Sequence, residues 1–145
     1  MKKFFSFLIV FLALVPAAFL VGCGKKDTAA NVKGRTYVVT MAKTNAADVK
    51  DILDNNFRIT FYDGHFTAEY GVEGADSYGS YLGSYTTDKN EVKLEITTYT
   101  GAFKTEIRPA MKFSTLKYEG GKLIFEDIVE GSVWRFTFEI PKTEK

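Results

Sequence analysis

Reactive side chains are scarce in this chain. Among 145 residues there is one cysteine, Cys23, and one histidine, His65, so no disulfide closes within the chain and zinc would have to be held by one histidine and carboxylates. No strong excess of either charge is present: the formal net charge is +1, far from the basic footprint of a protein that binds nucleic acid. A glycine-rich phosphate loop is missing too, because Gly71, Gly74, Gly79 and Gly83 lie among tyrosines and serines without the following lysine or helix. Nucleophile and base pairs are equally hard to find, and His65 directly follows Asp63-Gly64, a turn position. The expectation is a protein that is not an enzyme and needs no cofactor. What remains is ample material for a core, since 46% of residues are hydrophobic and 26% charged. One globular domain fits that length and composition.

The N-terminus carries an address. Lys2 and Lys3 precede an apolar run from Phe4 to Val21, and the run ends in Leu20-Val21-Gly22-Cys23. A basic start, an apolar stretch and small residues before a cleavage point form a signal-peptide layout. The tetrad resembles the lipobox of bacterial lipoproteins. That resemblance implies a diacylglycerol thioether on Cys23, cleavage before it, further acylation by a fatty acid such as palmitate, and an extracytoplasmic location on the cell membrane or the outer membrane. Gly24 after the cysteine argues, by the same resemblance, against retention in the inner membrane of a two-membrane cell. Two readings compete: a retained membrane-spanning helix, which takes about 20 apolar residues, and a cysteine standing by chance after an ordinary signal peptide. Residues 24–33, small and polar without periodicity, read as a flexible tether. Lys25 and Lys26 there add attraction to anionic lipid.

From Arg35 onward apolar residues recur with a period of two, the mark of half-buried strands. Tyr37, Val39 and Met41 open the series; Phe57, Ile59 and Phe61, then Phe66, Ala68 and Tyr70, then Tyr81, Gly83 and Tyr85 continue it. Val92, Leu94 and Ile96 alternate with Glu91, Lys93 and Glu95, and further strands are expected over 112–118, 122–129 and 132–140. Turn residues at Asp63-Gly64, Asp88-Lys89-Asn90, Gly120-Gly121 and Glu130-Gly131 make the neighbours antiparallel. One stretch departs from this period: Asn45 is placed to cap a helix over 46–55, in which Val49, Ile52 and Leu53 form an apolar stripe. Asp48, Asp51 and Asp54 would then line its solvated face. The fold class is all-β, an eight-stranded antiparallel up-and-down barrel with one short helix between the first two strands. The domain plan is a signal peptide over 1–22, a lipidated cysteine and tether over 23–33, and the barrel over 34–145.

The whole resembles the small lipocalin-like, or calycin-type, lipoproteins of bacteria. Cys23, Gly34 with Tyr37, the Gly64-His65-Phe66 hairpin exit and Trp134-Arg135-Phe136 in the last strand carry the resemblance. It implies a barrel that holds a small apolar ligand. The candidate ligand-binding residues are Tyr78, Tyr81, Tyr85, Phe61, Phe66, Trp134 and Phe136. The Gly71–Tyr85 stretch is rich in Tyr, Ser and Gly, a composition suited to recognition, with Tyr78 placed at a mouth. An eight-stranded barrel is just wide enough to be filled by side chains or to hold one small ligand. The rival expectation is therefore a solid-core module that binds an envelope or surface protein. In either case the implied partners are a membrane and a ligand or protein, not nucleic acid.

Overall fold

A computed structural model describes residues 27–103 and 109–142. The signal peptide, Cys23 and Gly24 to Lys26 lie outside the described residues. The elements are a 3-10 turn Ala29–Val32, then β1 (Thr36–Thr44), β2 (Ala47–Asp48), α1 (Lys50–Asp54), β3 (Arg58–Phe61), β4 (His65–Tyr70), β5 (Gly79–Asp88), β6 (Glu91–Gly101), a 3-10 turn Pro109–Met111, β7 (Thr115–Glu119), β8 (Lys122–Val129) and β9 (Ser132–Glu139).

Antiparallel pairing runs β1-β3-β4-β5-β6-β7-β8-β9, and β9 pairs back onto β1 with Val38 opposite Glu139 and Thr44 opposite Trp134. Eight strands thus close into an up-and-down barrel, with the short helix near the first of them, as the sequence pattern predicts. Closure gives each of the eight strands a partner on both sides, β6 meeting β7 over Glu91–Lys93 only. Bulges between Val39 and Met41 and between Leu82 and Gly83 supply local bends. At the second, a Cβ on Gly83 would overlap the Glu95 carbonyl oxygen. Only glycine fits there.

Two boundaries differ from the sequence reading. Asn45 caps no helix: Asn45 and Ala46 both have positive φ, 45° and 71°, and join Thr44 to Ala47 in a two-residue hairpin turn. The residues after it pair with β1 as β2, so the helix shrinks to Lys50–Asp54 and Asp48 leaves it for a strand. The apolar stripe survives the shortening, with Ile52 fully buried and Val49 and Leu53 packed against the core. The second correction concerns the tether over 23–33: Ala29 and Val32 are fully buried in the main core. Their 3-10 turn is fixed by Ala29 N–H donating to Lys89 O at 2.8 Å, and the Tyr118 hydroxyl donates to Asp27 at 2.6 Å. The ordered domain therefore starts before Gly34.

These elements pack residues into the core at both ends of the barrel. The Ala29–Val32 turn lies at the end that carries the β3-β4, β5-β6 and β7-β8 hairpins, here called the plug end. At the opposite, helix end, α1 inserts Ile52, while the segment between β6 and β7 buries Phe103, Ala110, Met111 and Phe113.

Candidate functional site

The inward face of the barrel is a mesh of aromatic rings. Phe57, just before β3, sits at its centre and meets Tyr70, Tyr81, Phe103, Phe113 and Phe138 at ring separations between 5.5 and 6.5 Å. Such spacings and their mostly tilted or edge-on geometry are those of rings in van der Waals contact. Phe113 in turn packs on Phe125 and Phe136, and Phe136 on Phe138.

Of the candidate ligand-binding residues, Phe61, Phe66, Tyr81 and Phe136 are fully buried within this mesh. Tyr85 is half-buried, its ring 5.0 Å from that of Phe61 and its hydroxyl donating to Tyr62 O. Trp134 is half-buried and stacks on Phe136 at 6.1 Å. Tyr78 stands apart from the others. It precedes β5 at the helix end, where its hydroxyl donates to Glu69 at 3.0 Å, while Arg58 Nε donates to the other Glu69 oxygen at 2.9 Å. The Arg58 hydrogen bond, aided by that of Tyr78 and opposed by partial burial, holds the Glu69 carboxyl below its usual range. This network fastens the Gly71–Tyr78 connection to the outer wall. It is an anchor for a loop at the helix end of the barrel.

Depressions of about 160, 320 and 360 Å³ lie against β5-β6, against β6-β7, and beside the β1-β2 turn. Among the seven candidates only Tyr85 lines one of them, the smallest.

Among the described residues, two buried side-chain oxygens lack a partner of good geometry: the hydroxyls of Tyr37 and Tyr81. Tyr118 lies near Tyr37 and donates its own hydroxyl proton to Asp27, so towards Tyr37 it can only accept. Burial above all, with Tyr118 and Asp27 adding to it, pushes Tyr37 up to about 12, and burial also raises Tyr81 well above the ordinary phenol range. A buried, unsatisfied hydroxyl costs about 1–3 kcal/mol, so these two atoms ask for an explanation.

His65 is exposed, its ring stacked on Tyr62 at 4.9 Å and its Nδ1 3.1 Å from Asp63 O. The three helix aspartates do not form a set, because Asp48 pairs with Lys43 in the β1-β2 hairpin at 3.8 Å. No group of three or more metal-ligating side chains occurs among the described residues. No helix among them is long and apolar enough to cross a membrane.

Sequence reasoning passed over Ala29, Val32 and Phe103, and put Phe113 in a strand over 112–118 that in fact begins at Thr115. For the first two a signal existed, since a spacing of three brings side chains onto one face of a 3-10 turn. No protein family, no curated protein and no solved structure matches the chain. The likeness to lipocalin-like proteins therefore rests on the eight-stranded meander barrel alone.

Proposed function

We propose that this chain is a lipid-anchored, extracytoplasmic, non-enzymatic lipoprotein whose barrel acts as a rigid interaction module, presenting its outer surface and loops to an envelope or surface protein. The observation that carries the choice of module over carrier is the packing of the inward rings on one another, with Val32 buried at one end of the barrel and Ile52 and Phe103 at the other. An interior filled in this way leaves a ligand little room without rearrangement. Anchoring is supported by Leu20-Val21-Gly22-Cys23 after a basic, apolar leader.

A second reading, carriage of a small apolar ligand, is favoured by one specific observation. The Tyr37 and Tyr81 hydroxyls are buried without partners, and a ligand or a water seated beside each would satisfy it. Native mass spectrometry of the full chain, extracted from a bacterial envelope in mild detergent and compared before and after denaturation, tests both parts. Added mass that survives denaturation and maps to Cys23 supports the anchor, and an unmodified N-terminus refutes it. An adduct lost on unfolding, reproducible between preparations, would overturn the module reading in favour of the carrier. Absence of any such adduct is the expected result.

A further inference from the structure

We infer that the barrel stands end-on against a lipid bilayer, with the Ala29–Val32 plug end facing the headgroups and the helix end, with the Gly71–Tyr78 connection, facing away. This rests on the anchoring reading above and adds to it a defined membrane-facing surface.

The argument starts from how little chain separates the anchor from the fold. Asp27 is held by the Tyr118 hydroxyl at 2.6 Å, and two residues later Ala29 is buried and bonded to Lys89. Only Gly24, Lys25 and Lys26 stand between Cys23 and Asp27. Four residue steps, even fully extended, span at most about 14 Å. A tether of that reach cannot pass along the barrel wall: β5 has ten residues, and such a strand tilted in a barrel covers roughly 25 Å along the axis. The helix end thus lies beyond the leash whichever way the chain leaves Asp27.

The chemistry of the plug end suits a headgroup layer. Tyr62, at the β3-β4 hairpin, is 44% exposed, and Ile140, just past β9, is 40% exposed. Tyrosine settles at membrane interfaces because its ring is apolar and its tip polar. Lys33 and Lys89 lie exposed at the same end, Lys33 bound to Asp63 at 2.8 Å. Lys25 and Lys26 within the leash add positive charge beside an anionic surface.

The consequence is directional. Surfaces near Asn90, Gly120 and His65 are shielded by lipid, and a protein partner must approach from the helix end. There the exposed Ile128 and Val133 face each other across the β8-β9 hairpin.

The test uses the full chain purified from bacterial membranes and reconstituted in vesicles of phosphatidylcholine and phosphatidylglycerol. An acylated Cys23 has no free thiol, so a cysteine introduced by Asn90→Cys at the plug end or Asp76→Cys at the helix end is the only site for a nitroxide label. Collision with a nickel chelate carried on lipid headgroups is then read by electron paramagnetic resonance. Strong relaxation of the Asn90→Cys label and weak relaxation of the Asp76→Cys label is expected, and a long Gly/Ser insertion after Lys26 should reduce the difference. Equal or reversed relaxation in protein that floats with the vesicles and has a blocked thiol would overturn the orientation while leaving the anchor intact. Wild-type protein that takes up the thiol label and fails to float would overturn both.

Discussion

Replacing Phe57 by alanine distinguishes a solid barrel from a hollow one. The ring is fully buried, and the nearest of its aromatic neighbours, Phe138 and Phe113, have centroids 5.5 and 5.7 Å away. Its removal forfeits roughly 2–3 kcal/mol of apolar burial. A residual void on the order of 80 Å³ adds about 2 kcal/mol more, at some 24 cal/mol per Å³. The sum agrees with the range of about 3–5 kcal/mol for Phe→Ala in well-packed cores. For a domain of this size each kcal/mol shifts Tm by about 4 °C, so the variant should melt roughly 12–20 °C below wild type. Calorimetry with and without xenon is the assay. Xenon should raise the Tm of the variant, whose new cavity is apolar and large enough for one atom, and leave wild type unmoved. A cost below about 1.5 kcal/mol, far under the filled-core range, together with xenon stabilisation of wild type, would mean that Phe57 borders an existing void. The packing argument for an interaction module would then fail.

Four other measurements examine separate parts of the structure. Tyr81→Phe deletes a buried hydroxyl with no partner, so it should raise stability by about 1 kcal/mol in urea titrations at neutral pH; a loss instead would reveal a bound water or ligand. Tyr37 ionises near 12 when folded and near 10 when unfolded, so its contribution is whole below pH 10 and disappears as pH rises towards 12; Tyr37→Phe should flatten that alkaline limb, and an unchanged limb would contradict the assignment. Gly83→Ala places a Cβ against the Glu95 backbone and must part β5 from β6, at an expected cost of 2 kcal/mol or more, approximately; a neutral effect would refute the close approach. Glu69 has its carboxyl pKa lowered, chiefly by the Arg58 hydrogen bond, so its stabilisation holds above the unfolded value of 4.5 and is lost as pH falls through the lower folded one. Glu69→Gln should shallow the acid limb of the urea midpoint while costing less than about 1 kcal/mol at neutral pH, because the pair is partly solvated.

The strands were legible because closing the barrel buries one face of each. Val92 and Leu94 are buried while Glu91, Lys93 and Glu95 are exposed, and alternation of that kind is visible in a bare sequence. Hairpin turns were legible for a different reason, since Gly120, Gly121 and Gly131 all take the positive φ that two-residue turns demand. Asn45 misled because asparagine suits both a helix cap and a left-handed turn. What decided between them was the register of Thr44 against Ala47, a tertiary fact that overrides local helix preference.

The site was legible in its residues and illegible in its volume. Inward aromatics such as Phe61, Phe66, Tyr81 and Phe136 follow from the period of two, and all four are buried as that period implies. Whether eight strands enclose a void depends on what else occupies the interior, and here those groups come from outside the strands. Phe57 precedes β3, Phe103 and Phe113 belong to the connection between β6 and β7, Ile52 comes from a short helix and Val32 from a 3-10 turn. Phe57 was legible in the Phe57-Ile59-Phe61 alternation and Ile52 in the helix stripe, but Val32 and Phe103 lie on no periodic stretch and Phe113 is out of phase with Leu116 and Tyr118. A reading confined to strands counts the wall of the barrel without its plugs, and so leaves carrier and solid module equally plausible. With Phe57 and Phe113 placed against Phe138 and Phe136, the balance moves towards the module, and the Tyr37 and Tyr81 hydroxyls become the two atoms whose hydration or occupancy decides the matter.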